Sequence, residues 1–280
     1  MKIIIHGGFF SEYFTDKAAK TQKQEALKII VQKGFDFLKN HNALDTVAYT
    51  VSLLEKNPLF NAGTGSQIQS DGVIRMSAAI MDGQLLKMAG VVNIEEVEHP
   101  ILVAQKLLNY EDKTLGGIEA TFFARKLGFD KYNPETKQRR MEYETKKASL
   151  RTSTVGCVCL DRNGHIAAAT STGGKGFETP GRISDSSTVA GTYANAYCGI
   201  SLTGIGEDIV NNAMAAKIVT RVTDGMSIQN AFQKSFNELK EQHGFAGAIG
   251  IDKYGTIYHQ ESNPTMVYAS LDGITIDVFN

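Results

Sequence analysis

Thr154, Arg182 and Asp185 have residue types and settings that could do chemistry. Thr154 follows a charged stretch and opens a strand-like run, Thr154-Val155-Gly156-Cys157-Val158-Cys159-Leu160. If the chain were cut between Ser153 and Thr154, the new α-amino group, with a pKa of about 7.7–8.0, would be a built-in base for the threonine hydroxyl. In the uncut chain that nitrogen is an amide, so the chemistry requires the cut. The plain alternative is a threonine that merely suits a pleated strand. Arg182 presents a planar fork that grips a carboxylate at two points, and Asp185 accepts from an ammonium. Together they fit the α-carboxylate and α-amino group of a free amino-acid head. Their plain alternative is a surface ion pair three residues apart, which is worth little.

Those residues need a framework. The first residues, Met1 to Gly8, read as a strand, too short an apolar run for a signal peptide. Helical patterns cover Lys17 to Asn40 and Leu44 to Lys56, with apolar residues such as Leu27, Ile30, Val31, Phe35 and Leu38 at helical spacing. Two strand-like pieces, Gly65 to Gln69 and Val73 to Met81, flank the turn signal Asp71-Gly72. Helical patterns return at Pro100 to Leu108 and Gly117 to Leu127. Tyr132 to Ser153 is polar and charged, the composition of a solvated linker. Beyond it, Thr154 to Leu160 and His165 to Thr172 form a hairpin around Asp161-Arg162-Asn163-Gly164. Helices over Glu207 to Thr223 and Ser227 to Gln242, a hairpin of Ala246 to Ile251 with Thr256 to His259, and a final strand pair complete the pattern. The expected class is α/β, with two packed sheets covered by helices.

Composition sets bounds on function. The 29 basic and 30 acidic residues of this 280-residue chain nearly cancel, which argues against a nucleic-acid or membrane-surface binder. No stretch of about 18 apolar residues suggests a spanning helix. Cys157 and Cys159 have no second pair or histidine cluster nearby and read as buried strand residues in a reducing cytosol, not as zinc ligands.

Four blocks in order make the chain resemble the plant-type asparaginase / isoaspartyl aminopeptidase family and its relative glycosylasparaginase. They are His6-Gly7-Gly8; Leu54-Glu55 with Asn57-Pro58-Leu59-Phe60-Asn61-Ala62-Gly63 and Ile80-Met81-Asp82-Gly83; Thr154-Val155-Gly156 with Ala169-Thr170-Ser171-Thr172-Gly173-Gly174; and Pro180-Gly181-Arg182-Ile183-Ser184-Asp185-Ser186 leading to Thr203-Gly204-Ile205-Gly206-Glu207. The resemblance implies a four-layer αββα sandwich of the N-terminal-nucleophile type, one domain, cut into residues 1–153 and 154–280. It makes Thr154 the nucleophile and Thr172 its hydrogen-bond partner. Thr203 and the N–H of Gly204 become the oxyanion hole, and Asn61 a residue beside the nucleophile. Arg182, Asp185 and Gly204 would hold the substrate. Backbone carbonyls of the loop containing Leu54, Glu55, Asn57, Phe60, Ala62 and Thr64 would bind a structural sodium ion, with no cofactor for catalysis. The implied substrate is L-asparagine or a β-aspartyl dipeptide, and the implied assembly a cytoplasmic homodimer of cleaved units.

The sequence also departs from the family. Ser153 stands where Gly or Asp is usual before the nucleophile. Phe9-Phe10 follow the His-Gly-Gly block in place of Ala-Gly; they either wall the leaving-group side or pack the end of the first strand as core residues. The stretch from Asp185 to Thr203 is slightly short. Glycosylasparaginase activity, or a non-processing paralogue that only binds amino acids, are the competing readings.

Overall fold

The computed structural model describes residues 1–9, 17–145, 154–262 and 265–280, in a mixed α/β arrangement. Ser153 and Phe10, named above, lie outside the described residues.

Twelve strands form two sheets among the described residues. The larger runs β12 (Ile276–Val278), β11 (Met266–Leu271), β1 (Lys2–Phe9), β5 (Thr154–Leu160), β6 (Ile166–Thr172), β2 (Met76–Asp82), β3 (Lys87–Ile94) and β4 (Thr114–Gly116). The smaller runs β10 (Ile257–Glu261), β9 (Ala246–Asp252), β8 (Cys198–Gly204) and β7 (Thr192–Ala194). The strands nearest the middle are buried throughout: β5, β6 and β9 expose nothing on either face. Two covered faces explain why they read as continuous apolar and small-residue runs with little alternation.

One face of the large sheet packs on α1 (Lys17–Leu38), α2 (Ala43–Lys56), α3 (Pro100–Leu107) and α4 (Gly117–Lys126), burying Leu27, Val31, Val47, Val51, Ile101 and Ala120 with Ile3, Ile5, Cys157 and Cys159. Its other face meets β7, β8 and β9 through a second cluster that includes Ile4, Val158, Ile166, Ile249 and Phe9. Against the small sheet pack α7 (Met214–Thr223) and α8 (Ile228–Glu241), burying Ile218, Phe232 and Leu239 with Ile200 and Ala248. α2 starts where Asn42 accepts from the N–H of Asp45 at 2.7 Å, and α8 where Ser227 accepts from Asn230 at 3.2 Å. Such caps satisfy donors that a helix start leaves open.

Several expected elements differ. Gly65 to Gln69 is not a strand, and β2 begins at Met76, because the loop's backbone bonds go elsewhere: Gly65 donates to Pro134 and Gln69 to Val73. The helical pattern from Glu207 breaks into α6 (Gly206–Asn211) and α7 at Ala213, which adopts a left-handed φ of 45°. The polar stretch from Tyr132 holds a helix, α5 (Lys137–Glu144), capped by Thr136 and tied down by Arg139, whose Nε donates to the carbonyl of Gly65 at 2.6 Å. Finally, Phe9 is a core residue. Its ring lies 4.5 Å from that of Phe245 and is 3% exposed, so it does not wall an open groove.

Candidate active site

The hairpin of β5 and β6 sets the first pair of side chains. Its turn is closed by Asp161, whose Oδ1 accepts from the N–H groups of Asn163 and His165, and that fixes the register of Thr154 opposite Thr172. Directly opposed residues share a face. Thr154 Oγ1 donates to Thr172 Oγ1 at 3.3 Å, and Thr172 Oγ1 also accepts from the N–H of Gly174 at 3.1 Å.

Asn61 closes the same corner from the loop after α2. Its Nδ2 donates to the carbonyl of Gly174 at 2.5 Å, its Oδ1 accepts from the N–H of Gln67 at 2.8 Å, and its own carbonyl accepts from Gly173. Asn61 therefore grips the turn that follows Thr172.

β8 brings the opposing wall. Gly199 packs against Ile166 and Val158. Two residues on, Ser201 Oγ sits 2.7 Å from Thr170 Oγ1 and beside Gly156. Strand residues two apart share a face, so the next position, Thr203, lies on the face of β8 that Ser201 turns toward β5 and β6. Thr203 is fully buried and its Oγ1 has no hydrogen-bond partner. A sealed hydroxyl without a partner is rare enough to need a reason.

Beyond β8 lie the charged groups. A Cβ on Gly206 would stand 2.8 Å from Nη2 of Arg182 and 3.0 Å from Oδ1 of Asp185, so both side chains crowd one glycine. They are not paired with each other. Arg182 donates from Nε to Glu207 Oε1 at 2.7 Å and from Nη2 to Oε2 at 2.8 Å. Glu207 is pulled down to about 2, first by its hydrogen bond from Arg182. Asp185 sits on a single 3-10 turn, Asp185–Ser187, with Oδ2 buried and unpartnered. Burial pushes its carboxyl up to about 7, against weaker pulls from its own backbone N–H and from Arg182. Reading the sequence missed Glu207 as the partner of Arg182. The pairing joins positions 25 apart across a loop, and no local spacing signals it.

The loop named for a cation, which includes Leu54, Glu55, Asn57, Phe60, Ala62 and Thr64, does converge on its own backbone. The carbonyl of Glu55 accepts from Thr64 at 2.7 Å, that of Leu54 from Asn57 and that of Asn57 from Phe60. A Cβ on Gly65 would stand 2.9 Å from the carbonyl oxygen of Pro58 and 3.1 Å from that of Phe60. Carbonyls with a second lone pair, gathered around glycines, are an oxygen set that suits a hard cation. Glu55 itself turns its side chain inward, where Oε1 accepts from Ser171 Oγ at 2.7 Å and from the N–H of Ile101.

Comparison with known proteins covers nearly the whole chain. The profile described as asparaginase matches residues 1–279. The chain belongs to the asparaginase family. Among curated relatives of this asparaginase-family chain, the isoaspartyl peptidase/L-asparaginase of Synechocystis sp. is 40% identical, covering 98% of this chain and 89% of the relative. The plant-type L-asparaginase of Pyrococcus abyssi is 35% identical over 95% of each. The isoaspartyl peptidase of Escherichia coli is 34% identical over 91% of this chain and 88% of the relative. Among the described residues no helix is long and apolar enough to cross a membrane, and no cluster of three His, Cys, Asp or Glu residues could hold a metal.

Proposed function

We propose that this protein hydrolyses the side-chain amide of L-asparagine and the β-linked bond of β-aspartyl dipeptides, after cutting itself between Ser153 and Thr154. What carries the reading is the contact between Thr154 and Thr172 at the start of β5, under a wall that offers the unpartnered hydroxyl of Thr203. The names of the relatives, isoaspartyl peptidase and L-asparaginase, agree with it.

In this reaction the free α-amino group of Thr154 takes the proton from Oγ1, and Oγ1 attacks the amide carbon. The carbonyl oxygen becomes an oxyanion, received by the Thr203 hydroxyl and the N–H of Gly204. The amide nitrogen leaves as ammonia, or as an amino acid, with the proton from the Thr154 amine. Water then cleaves the aspartyl ester and regenerates the threonine. Arg182 binds the α-carboxylate and Asp185 the α-ammonium, while Asn61 keeps the turn after Thr172 in place. A sodium ion on the carbonyls of the 54–64 loop would stiffen the segment that carries Asn61.

The same reading makes the packed layers a four-layer αββα sandwich, one domain divided by the cut into residues 1–153 and 154–280, and its assembly a cytoplasmic homodimer of cleaved units. The test is intact-mass measurement of purified protein beside an ammonia-release assay. Wild type yields fragments of 1–153 and 154–280 and releases ammonia from L-asparagine. Thr154→Ala stays one chain and releases none. A Thr154→Ala protein that still splits at that bond, or still hydrolyses asparagine, overturns the assignment.

A further inference from the structure

One rung behind the Thr154–Thr172 pair lies a set of polar groups with no part in the chemistry above. His6, Thr170, Thr192 and Ser201 are all sealed from solvent. His6 Nε2 and Ser201 Oγ are 2.9 Å apart, and Ser201 Oγ is 2.7 Å from Thr170 Oγ1. Thr192 Oγ1 lies 2.6 Å from Thr170 Oγ1 and 2.8 Å from the main-chain carbonyl of Ser186. The chain thus passes from β1 through β8, β6 and β7 to the turn that bears Asp185. Gly156 faces His6 on one side and Thr170 on the other. A Cβ there would stand 2.0 Å from Ser201 Oγ and 2.4 Å from His6 Nε2, so only glycine lets the chain cross β5.

At the far end of the chain Thr192 is the donor, to Thr170 and to the Ser186 carbonyl. The contacts of Ser201 with Thr170 and with His6 Nε2 can run in either direction. His6 Nδ1 is buried with no hydrogen-bond partner. Burial holds the ring neutral, driving its pKa down to about 3 against a weaker opposing pull from the Thr154 main chain. His6 thus pairs in the sheet with Gly156, two residues from Thr154 on the same strand, and is tied through Ser201 to a position 195 residues away in sequence.

We propose that His6 is a positioning residue for Thr154, and that the chain His6–Ser201–Thr170–Thr192–Ser186 locks the nucleophile's strand to the turn carrying Asp185. The inference rests on reading Thr154 as the nucleophile and Asp185 as a head-group ligand. A chain of sealed hydrogen bonds polarises along its length, and cutting any link disturbs the rest.

The test uses the full protein and L-asparagine. Thr170→Val and Thr192→Val each remove one hydroxyl at nearly constant volume, and each should lower kcat/KM about tenfold or more. Because both cut the same chain, the double variant should lose no more than the worse single. Thr170→Ser, which keeps the hydroxyl, should restore most of the activity. Melting temperatures that fall while kcat and KM hold, or losses that multiply in the double variant, would each overturn the proposal. If those variants are fully active while Thr154→Ala is inactive, the positioning role alone fails. Activity in Thr154→Ala would instead remove the reading on which it rests.

Discussion

Glu207 grips one edge of Arg182, with 2.7 Å from Nε to Oε1 and 2.8 Å from Nη2 to Oε2. A guanidinium has five N–H donors in a rigid fork. The edge that Glu207 occupies leaves Nη1 and the second hydrogen of Nη2 for another carboxylate. Glu207 is thereby an aiming device for Arg182, although its own side chain is half exposed.

Glu207→Gln tests that role. The amide can accept at only one oxygen, so the fork should swing and KM for L-asparagine should rise about tenfold, with self-cleavage unchanged. Glu207 is depressed to about 2, so the ion pair persists in the wild type until pH falls through that value. A lower KM in the variant would mean that Glu207 competes with substrate for Arg182.

Thr203→Val should separate chemistry from stability. The hydroxyl has no partner in the fold, so its removal forfeits no internal hydrogen bond and should leave the melting temperature within a degree or two of wild type. Losing an oxyanion donor typically costs about 10²–10³ in kcat, and that loss is expected here with KM little changed. A stable variant with undiminished kcat would take Thr203 out of the reaction.

Phe9→Ala should do the opposite. The ring is packed against Phe245, with its tip 3.0 Å from where a Cβ on Gly247 would lie. Truncating such a side chain costs about 3–5 kcal/mol, visible as a large drop in the denaturant midpoint. The ratio of kcat/KM for β-aspartyl-leucine to that for asparagine should not move. A changed ratio with unchanged stability would restore the ring to the leaving-group side.

How far the sequence disclosed this site depended on the range of each interaction. α1 and α2 follow from apolar periodicity, and the β5–β6 hairpin from its Asp161–Gly164 turn, because those signals are local. α5 stayed hidden because its residues are charged and it is held by Arg139 reaching back to Gly65; the Thr136 cap was its one legible sign. β7 was missed because it is only three residues long, and β8 because Gly199, Ser201, Thr203 and Gly204 dilute its apolar run. The types and order of Thr154, Thr172, Thr203, Arg182 and Asp185 could be read from motifs. That Arg182 answers to Glu207, and that Phe9 is core, are matters of packing that residue type does not encode.

Asp185 gives the pH dependence its sign. Burial raises its carboxyl from 3.8 to about 7, so between those values the folded chain holds a proton that the unfolded chain has lost. Stability therefore falls as pH rises from about 4 toward 7 and levels off above it. Asp185→Asn should remove that slope, and the variant should melt higher than wild type at pH 8. Activity runs the other way. Only the carboxylate can pair with an α-ammonium, so binding of L-asparagine should strengthen as pH climbs through 7. The Thr154 amine must also be free of its proton, which adds a limb at about 7.7–8.0. A plot of log kcat/KM against pH for asparagine should thus rise with a slope approaching two at its acid end. Succinamic acid, which keeps the carboxylate and amide but lacks the α-amino group, should show a slope of one at much lower rate. Equal slopes for the two substrates would mean that Asp185 does not read the ammonium, and the head-group assignment would have to move to another acceptor.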